Sequence, residues 1–245
     1  MTKQYWWWEY AVRAAAVVAA TVWYGTLFLL RRMLGAAPTL TYRIFPRWAR
    51  AVLRAAGVEL HVKGSELLDR EFGRYVFVAN HASLFDIPVL LVASPVPVRI
   101  VYKRELERVP FLGWALRSST FIAVERQRRQ SAGKAVRHAL DSLKTDPAAL
   151  LVFPEGTRSI DGRLGEFRRG AFVLAFDSRR AIVPIAIVGT SAILPRNSLR
   201  FSGGKVQVVF LPPMVPPPLR SRADELAWIA ALRMQIADVV EKAGK

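Results

Sequence analysis

His81 and Asp86 lie five residues apart in the segment Asn80-His81-Ala82-Ser83-Leu84-Phe85-Asp86. An imidazole held at one nitrogen by a carboxylate can take a proton from a hydroxyl with the other. On one ideal helix, residues five apart sit about 140° from each other and would not meet. A strand-to-helix turn could fold them together. The same residues admit a plainer reading, in which Asp86 is an N-cap, Pro88 sits in the first helical turn and His81 is a polar turn residue. Capping the helix and orienting the imidazole are compatible roles.

Two further elements could serve such a base. Phe153-Pro154-Glu155-Gly156-Thr157-Arg158-Ser159 follows the apolar run Leu150-Leu151-Val152, the place where open α/β sheets hold ligands. Gly156 lets the backbone turn closely, and Arg158 offers a planar fork suited to phosphate. As a plain alternative, the segment is a polar surface turn. Lys103 and Arg126 each stand near the end of a candidate strand, and either could equally be one more solvated charge in a chain with 36 basic residues. Other chemistries are excluded by residue type and spacing. No two glycines are four apart, so G-x-S-x-G is missing. There is no cysteine, hence no thiolate nucleophile and no disulfide. Neither G-x-x-x-x-G-K nor H-E-x-x-H occurs, and His61, His81 and His138 lack metal-ligand spacing.

The elements that must position these groups are legible as an alternation. Valine- and isoleucine-rich runs at Glu59–Lys63, Tyr75–Ala79, Arg99–Tyr102, Phe121–Val124, Ala149–Phe153, Ile182–Val188 and Val206–Leu211 read as strands. Several are apolar throughout, as strands covered on both faces are. Helices are expected at Ile87–Ala93, Gln130–Lys144, Gly170–Ser178 and Ala223–Lys242. The alternation predicts an α/β domain with a mostly parallel sheet flanked by helices. The proline-rich run at 212–218 reads as a stiff connector to the last helix.

The 57 residues before this body differ from it. Ala14 to Leu30 carries no charge, is preceded by Trp6, Trp7, Trp8 and Tyr10, and is followed by Arg31 and Arg32. As a helix it would be roughly 25 Å long, close to the thickness of a bilayer core. A single span and a helical hairpin dipping into one leaflet both fit, and a cleaved signal peptide fits poorly because two arginines follow directly. From Thr39 to Val58, Arg43, Arg47, Arg50 and Arg54 recur at spacings of 4, 3 and 4, which makes one basic face on a helix suited to a headgroup layer. The net charge is +17 and 52% of the chain is apolar. That combination favours an anionic membrane surface over nucleic acid.

Taken in order, NHASLFD at 80–86, KRELERVPFLGW at 103–114 closing with Arg126, FPEGTRS at 153–159 and Val183-Pro184-Ile185-Ala186-Ile187 resemble the four blocks of the glycerolipid acyltransferase family. The branch most resembled is that of the 1-acyl-sn-glycerol-3-phosphate acyltransferases. Thr120 stands where the family often has glycine, and Arg168-Arg169 where it often has lysine. The resemblance implies an acyltransferase domain at 58–245 behind membrane-associated helices at 1–57. It implies His81 as general base and Asp86 as its orienting partner, without a covalent intermediate. Lys103, Arg126 and Arg158 would hold the acceptor phosphate, with Glu155, Gly156 and Thr157 shaping the pocket. No metal or cofactor is implied beyond the acyl donor, acyl-CoA or acyl carrier protein. The implied acceptor is lysophosphatidate and the product phosphatidic acid, made on the cytoplasmic side of a membrane. Another lysolipid, such as a lyso-aminolipid, could take the acceptor's place. A non-catalytic basic module binding membrane or nucleic acid would explain the charge equally well, but not the four blocks.

Overall fold

The computed structural model describes residues 4–69, 74–109, 111–124, 148–218 and 221–243. The chain opens with α1 (Trp7–Met33), a one-turn helix α2 (Pro38–Thr41) and α3 (Ile44–Ala56). Then follow β1 (Val58–Lys63), β2 (Tyr75–Ala79), α4 (Asp86–Ala93), β3 (Val98–Lys103), α5 (Leu112–Ser118), β4 (Ile122–Val124) and β5 (Ala149–Val152). The described remainder is α6 (Val173–Asp177), β6 (Ala181–Val188), α7 (Thr190–Ile193), β7 (Gly204–Phe210) and α8 (Arg222–Ala243). All seven expected strands are present within a residue or two. The expected helix at Gln130–Lys144 lies outside the described residues, as do His138 and Arg126. The expected helix at Gly170–Ser178 forms as a 3₁₀ turn at Arg169–Ala171 followed by the short α6.

One mixed sheet runs in the order β1-β7-β6-β2-β5-β3-β4. Every neighbouring pair is parallel except β6 and β7. The five strands from β6 to β4 therefore end at one edge of the sheet. β2 is buried at every residue. Its side chains alternate between two cores: Tyr75, Phe77 and Ala79 face the layer of α3 and α4, whereas Val76 and Val78 face the layer of α6 and α8. Burial on both faces is why these strands read as unbroken apolar runs.

The N-terminal helices depart from the expectation in one respect. Arg43, Arg47, Arg50 and Arg54 do form an exposed stripe on α3. The opposite face, Ile44, Ala49, Val52, Leu53 and Ala56, is buried. Four of these five join the core shared with β2 and α4. The amphipathic pattern over Thr39–Val58 thus marks a helix seated on the protein, not one whose apolar side is open to lipid. Gly57 ends α3 at φ 72°, and a side chain there would strike the Tyr5 hydroxyl at 2.1 Å. The last carbonyls of α3 are taken up by α1 and the residues before it: Tyr5 Oη donates to Ala56 O and Arg13 Nη1 to Ala55 O. Trp48 Nε1 adds a bond to Thr21 Oγ1 at 3.1 Å. α1 is the one described helix long and apolar enough to cross a membrane. Phe28 is its single buried residue, while Trp7, Trp8 and Trp23 stand out from the protein.

Candidate active site

The turn between β2 and α4 carries His81, and Asp86 is the first residue of the helix that follows it. Strand β2 delivers Asn80 to the sheet edge, where its side chain extends the ladder sideways. Nδ2 donates to the Ile187 carbonyl at 2.8 Å, and the Ile187 N–H donates to Oδ1 at 2.7 Å. A buried side-chain amide thus replaces a backbone partner beyond the last strand residue. The chain then reverses through Ala82 to Phe85 and enters α4.

Asp86 is fully buried and folds back over this turn. Its Oδ2 accepts from three N–H groups: Ala82 N at 2.7 Å, Ser83 N at 2.9 Å and His81 Nδ1 at 2.8 Å. This corrects the reading of Asp86 as an N-cap. The residue in the cap position is Phe85, without a side-chain bond to the helix. Asp86 is the first helical residue and caps the turn instead. Pro88 falls third, where a missing N–H costs nothing. An ionised carboxylate only accepts, so the nitrogen facing it carries the hydrogen. The imidazole is held as the Nδ1–H tautomer, which leaves the Nε2 lone pair free to accept a proton.

The loop after β5 clamps His81 from the other side. The Glu155 Oε1 accepts the His81 backbone N–H at 2.7 Å, and Ser159 N–H donates to the His81 carbonyl at 2.8 Å. Phe153 stacks on the imidazole, centroids 4.1 Å apart and planes at 19°. The loop is itself closed: Arg168 N–H reaches Pro154 O, Glu155 Oε2 takes the Gly165 N–H at 2.8 Å, and Arg233 from α8 bonds the carbonyls of Leu164 and Gly165. A side chain at Gly165 would meet Glu155 Oε2 at 2.8 Å. Burial pushes the Glu155 carboxyl above the ordinary glutamate range, opposed by the two N–H bonds it accepts and by His81.

The expected site residues come together unequally. Both oxygens of Glu155 are committed to N–H groups, those of His81 and Gly165, so its carboxylate fixes the chain that carries the base. Gly156 turns the loop at φ 73°. Thr157 is exposed and Arg158 half-buried. The Arg158 guanidinium makes no hydrogen bond or ion pair among the described residues. Strand register sets Ile100 beside Leu151 and Leu151 beside Phe77, so Lys103 is level with Asn80, two strands away. Its ammonium pairs with Glu105 at 3.2 Å. Val124 is level with Lys103, which puts the end of β4 at the same edge. Sequence reasoning missed the structural work of Asn80, Phe153 and Gly165. The first two open the quoted motifs, but the contacts that explain them join residues far apart in the chain.

A parallel sheet edge that presents one imidazole oriented by a buried carboxylate is a candidate site for proton abstraction in an α/β enzyme. The Acyltransferase family model matches residues 59–188, and the chain belongs to that family. It is 31% identical to the 1-acyl-sn-glycerol-3-phosphate acyltransferase of Saccharomyces cerevisiae, over 96% of this chain and 78% of that one. It is 33% identical to a chloroplastic 1-acyl-sn-glycerol-3-phosphate acyltransferase of Arabidopsis thaliana, over 64% of this chain and 44% of that one. The chain spans about half the length of the plant relatives it matches. Among solved structures, the 1-acyl-sn-glycerophosphate acyltransferase PlsC of Thermotoga maritima shares the fold, with a TM-score of 0.78 over 94% of this chain and 95% of that one, at 24% identity.

Proposed function

We propose that this acyltransferase moves an acyl chain from a thioester, acyl-CoA or acyl carrier protein, to the sn-2 hydroxyl of 1-acyl-sn-glycerol-3-phosphate. His81 Nε2 takes the hydroxyl proton as the oxygen attacks the thioester carbonyl. Asp86 steadies the imidazolium that forms. The tetrahedral intermediate collapses, the C–S bond breaks, and the thiolate leaves and collects the proton. The products are phosphatidic acid and a free thiol. No metal or cofactor is needed, because the thioester carries the activated acyl group. Arg158 binds the acceptor phosphate together with Lys103 and Arg126. Residues 58–245 form the catalytic domain, and residues 1–57 hold it to the cytoplasmic face of a membrane through α1. The observation that carries this reading is the 2.8 Å bond from His81 Nδ1 to an Asp86 oxygen that also anchors two backbone N–H groups.

The test is thiol release measured with one acyl donor against lysophosphatidate, other lysophospholipids and a lyso-aminolipid. Lysophosphatidate should be the best acceptor. A preference for another lysolipid would keep the chemistry and replace the acceptor. His81→Ala should lose about 10²–10⁴-fold in kcat/KM, as removal of a general base does. Near wild-type transfer by that variant would refute the mechanism.

A further inference from the structure

A third segment, outside the four sequence blocks, closes on the catalytic turn and the phosphate loop together. It is Leu194-Pro195-Arg196, directly after α7. Ser83 Oγ, two residues after His81, donates to the Leu194 carbonyl at 2.8 Å in a buried bond. Two residues on, Arg196 Nη1 donates to the Arg158 carbonyl at 2.8 Å. The phosphate loop also packs on α7 itself: at Gly162, φ 79°, a side chain would come within 2.9 Å of Ser191 Oγ. Two hydrogen bonds therefore tie this segment to the catalytic turn and to the Arg158 loop, and that loop packs closely on α7 as well.

From this geometry we infer that Arg196 is a further cation of the acceptor site, and that it recognises the phosphomonoester headgroup beside Arg158. The inference rests on the acceptor proposed above. One donor of the Arg196 guanidinium is spent on the Arg158 carbonyl, which fixes the plane of the fork. The remaining Nη2 and Nε donors have no partner among the described residues. The carbonyl they flank belongs to Arg158, whose own guanidinium likewise has no partner among the described residues. No carboxylate among the described residues neutralises either arginine. Two such cations, one hydrogen-bonded to the other's carbonyl, are stabilised by a dianion that both can reach, and a phosphomonoester is that ligand. A phosphodiester headgroup carries one charge less and has a substituent where a second fork would bind. Arg196 thereby favours lysophosphatidate over lysolipids with larger headgroups.

The experiment compares wild type with Arg196→Ala and Arg196→Gln, using lysophosphatidate and 1-acylglycerol, which lacks phosphate, as acceptors. Arg196→Ala should raise KM for lysophosphatidate at least about 10-fold, the scale of a lost charged hydrogen bond. KM for the acyl thioester and the slow turnover of 1-acylglycerol should stay within about twofold, since neither uses the contact. Glutamine carries no charge and its amide stops two bonds short of Nη1, so Arg196→Gln should be as impaired in KM as Arg196→Ala. Recovery of wild-type KM by Arg196→Gln would mean that no cation is needed at 196, and would overturn the inference. Equal losses on both acceptors would overturn it too. A wild type active on lysophosphatidate with unchanged KM in Arg196→Ala defeats this inference alone. A wild type inert on lysophosphatidate defeats the proposed acceptor and this inference together.

Discussion

Replacing Asp86 by asparagine separates the charge of the carboxylate from its shape. All three donors converge on Oδ2, and an amide oxygen in that place can still accept from His81 Nδ1, Ala82 N and Ser83 N. The turn and the tautomer should persist. What disappears is the anion facing the imidazolium. With Nδ1 and Oδ2 2.8 Å apart, the charge centres lie at about 4 Å. Unit charges at that separation attract by about 4 kcal/mol at an effective dielectric of 20, or roughly 10³-fold in rate. The new amide NH₂ falls where Oδ1 lies, a buried atom with no partner among the described residues. Leaving those hydrogens unsatisfied costs about 1–3 kcal/mol of stability. For a domain of this size each kcal/mol lowers Tm by about 2–4 °C. Steady-state thiol release should therefore show kcat down about 10³-fold, with KM for lysophosphatidate little changed. Calorimetry or thermal circular dichroism should show a folded protein with a modestly lower Tm. A folded Asp86→Asn enzyme with kcat within tenfold of wild type would refute the assignment of charge stabilisation to Asp86.

Two other perturbations read the clamps around the base. Asn80→Ala removes both bonds to Ile187 and strands a buried N–H and a buried carbonyl, so unfolding measurements should show a loss of about 2–6 kcal/mol; an unchanged Tm would contradict that role. Glu155→Gln replaces one accepting oxygen by a donor facing either His81 N–H or Gly165 N–H, and kcat should fall while KM for the thioester holds. Burial raises the Glu155 pKa, so the folded state holds that proton more tightly than the unfolded chain. Its contribution to stability is fully present below the ordinary glutamate pKa and is lost as pH rises through the higher folded value. The stability difference between wild type and Glu155→Gln should follow that fall across the window.

The sheet was legible because β2, β5 and β6 are apolar on both faces, a pattern few other structures produce. The edge residues followed, since His81 and Glu155 stand just past the ends of β2 and β5 and Lys103 closes β3. The basic stripe of α3 was legible for the same reason of periodicity. What its other face covers was not, because a period specifies a side and says nothing about the neighbour that fills it. Helix α5 escaped notice: with Pro110 before it, Gly113 inside it and seven residues in all, it offers too few turns to show a repeat. The work of Glu155 was hidden for another reason. Its bond to His81 spans 74 positions of sequence, and only the β2–β5 pairing brings the two together.

The grip on His81 has a consequence for engineering. Its ring is held by Asp86, its N–H by Glu155 and its carbonyl by Ser159. Only the first of these travels with the NHASLFD segment. Transplanting that segment into a comparable strand-to-helix turn of another α/β scaffold would carry the imidazole and its carboxylate but leave the peptide unit beneath them unsupported. A working graft must bring the closed loop from Pro154 to Arg168 with it, and the paired strands that set the two side by side.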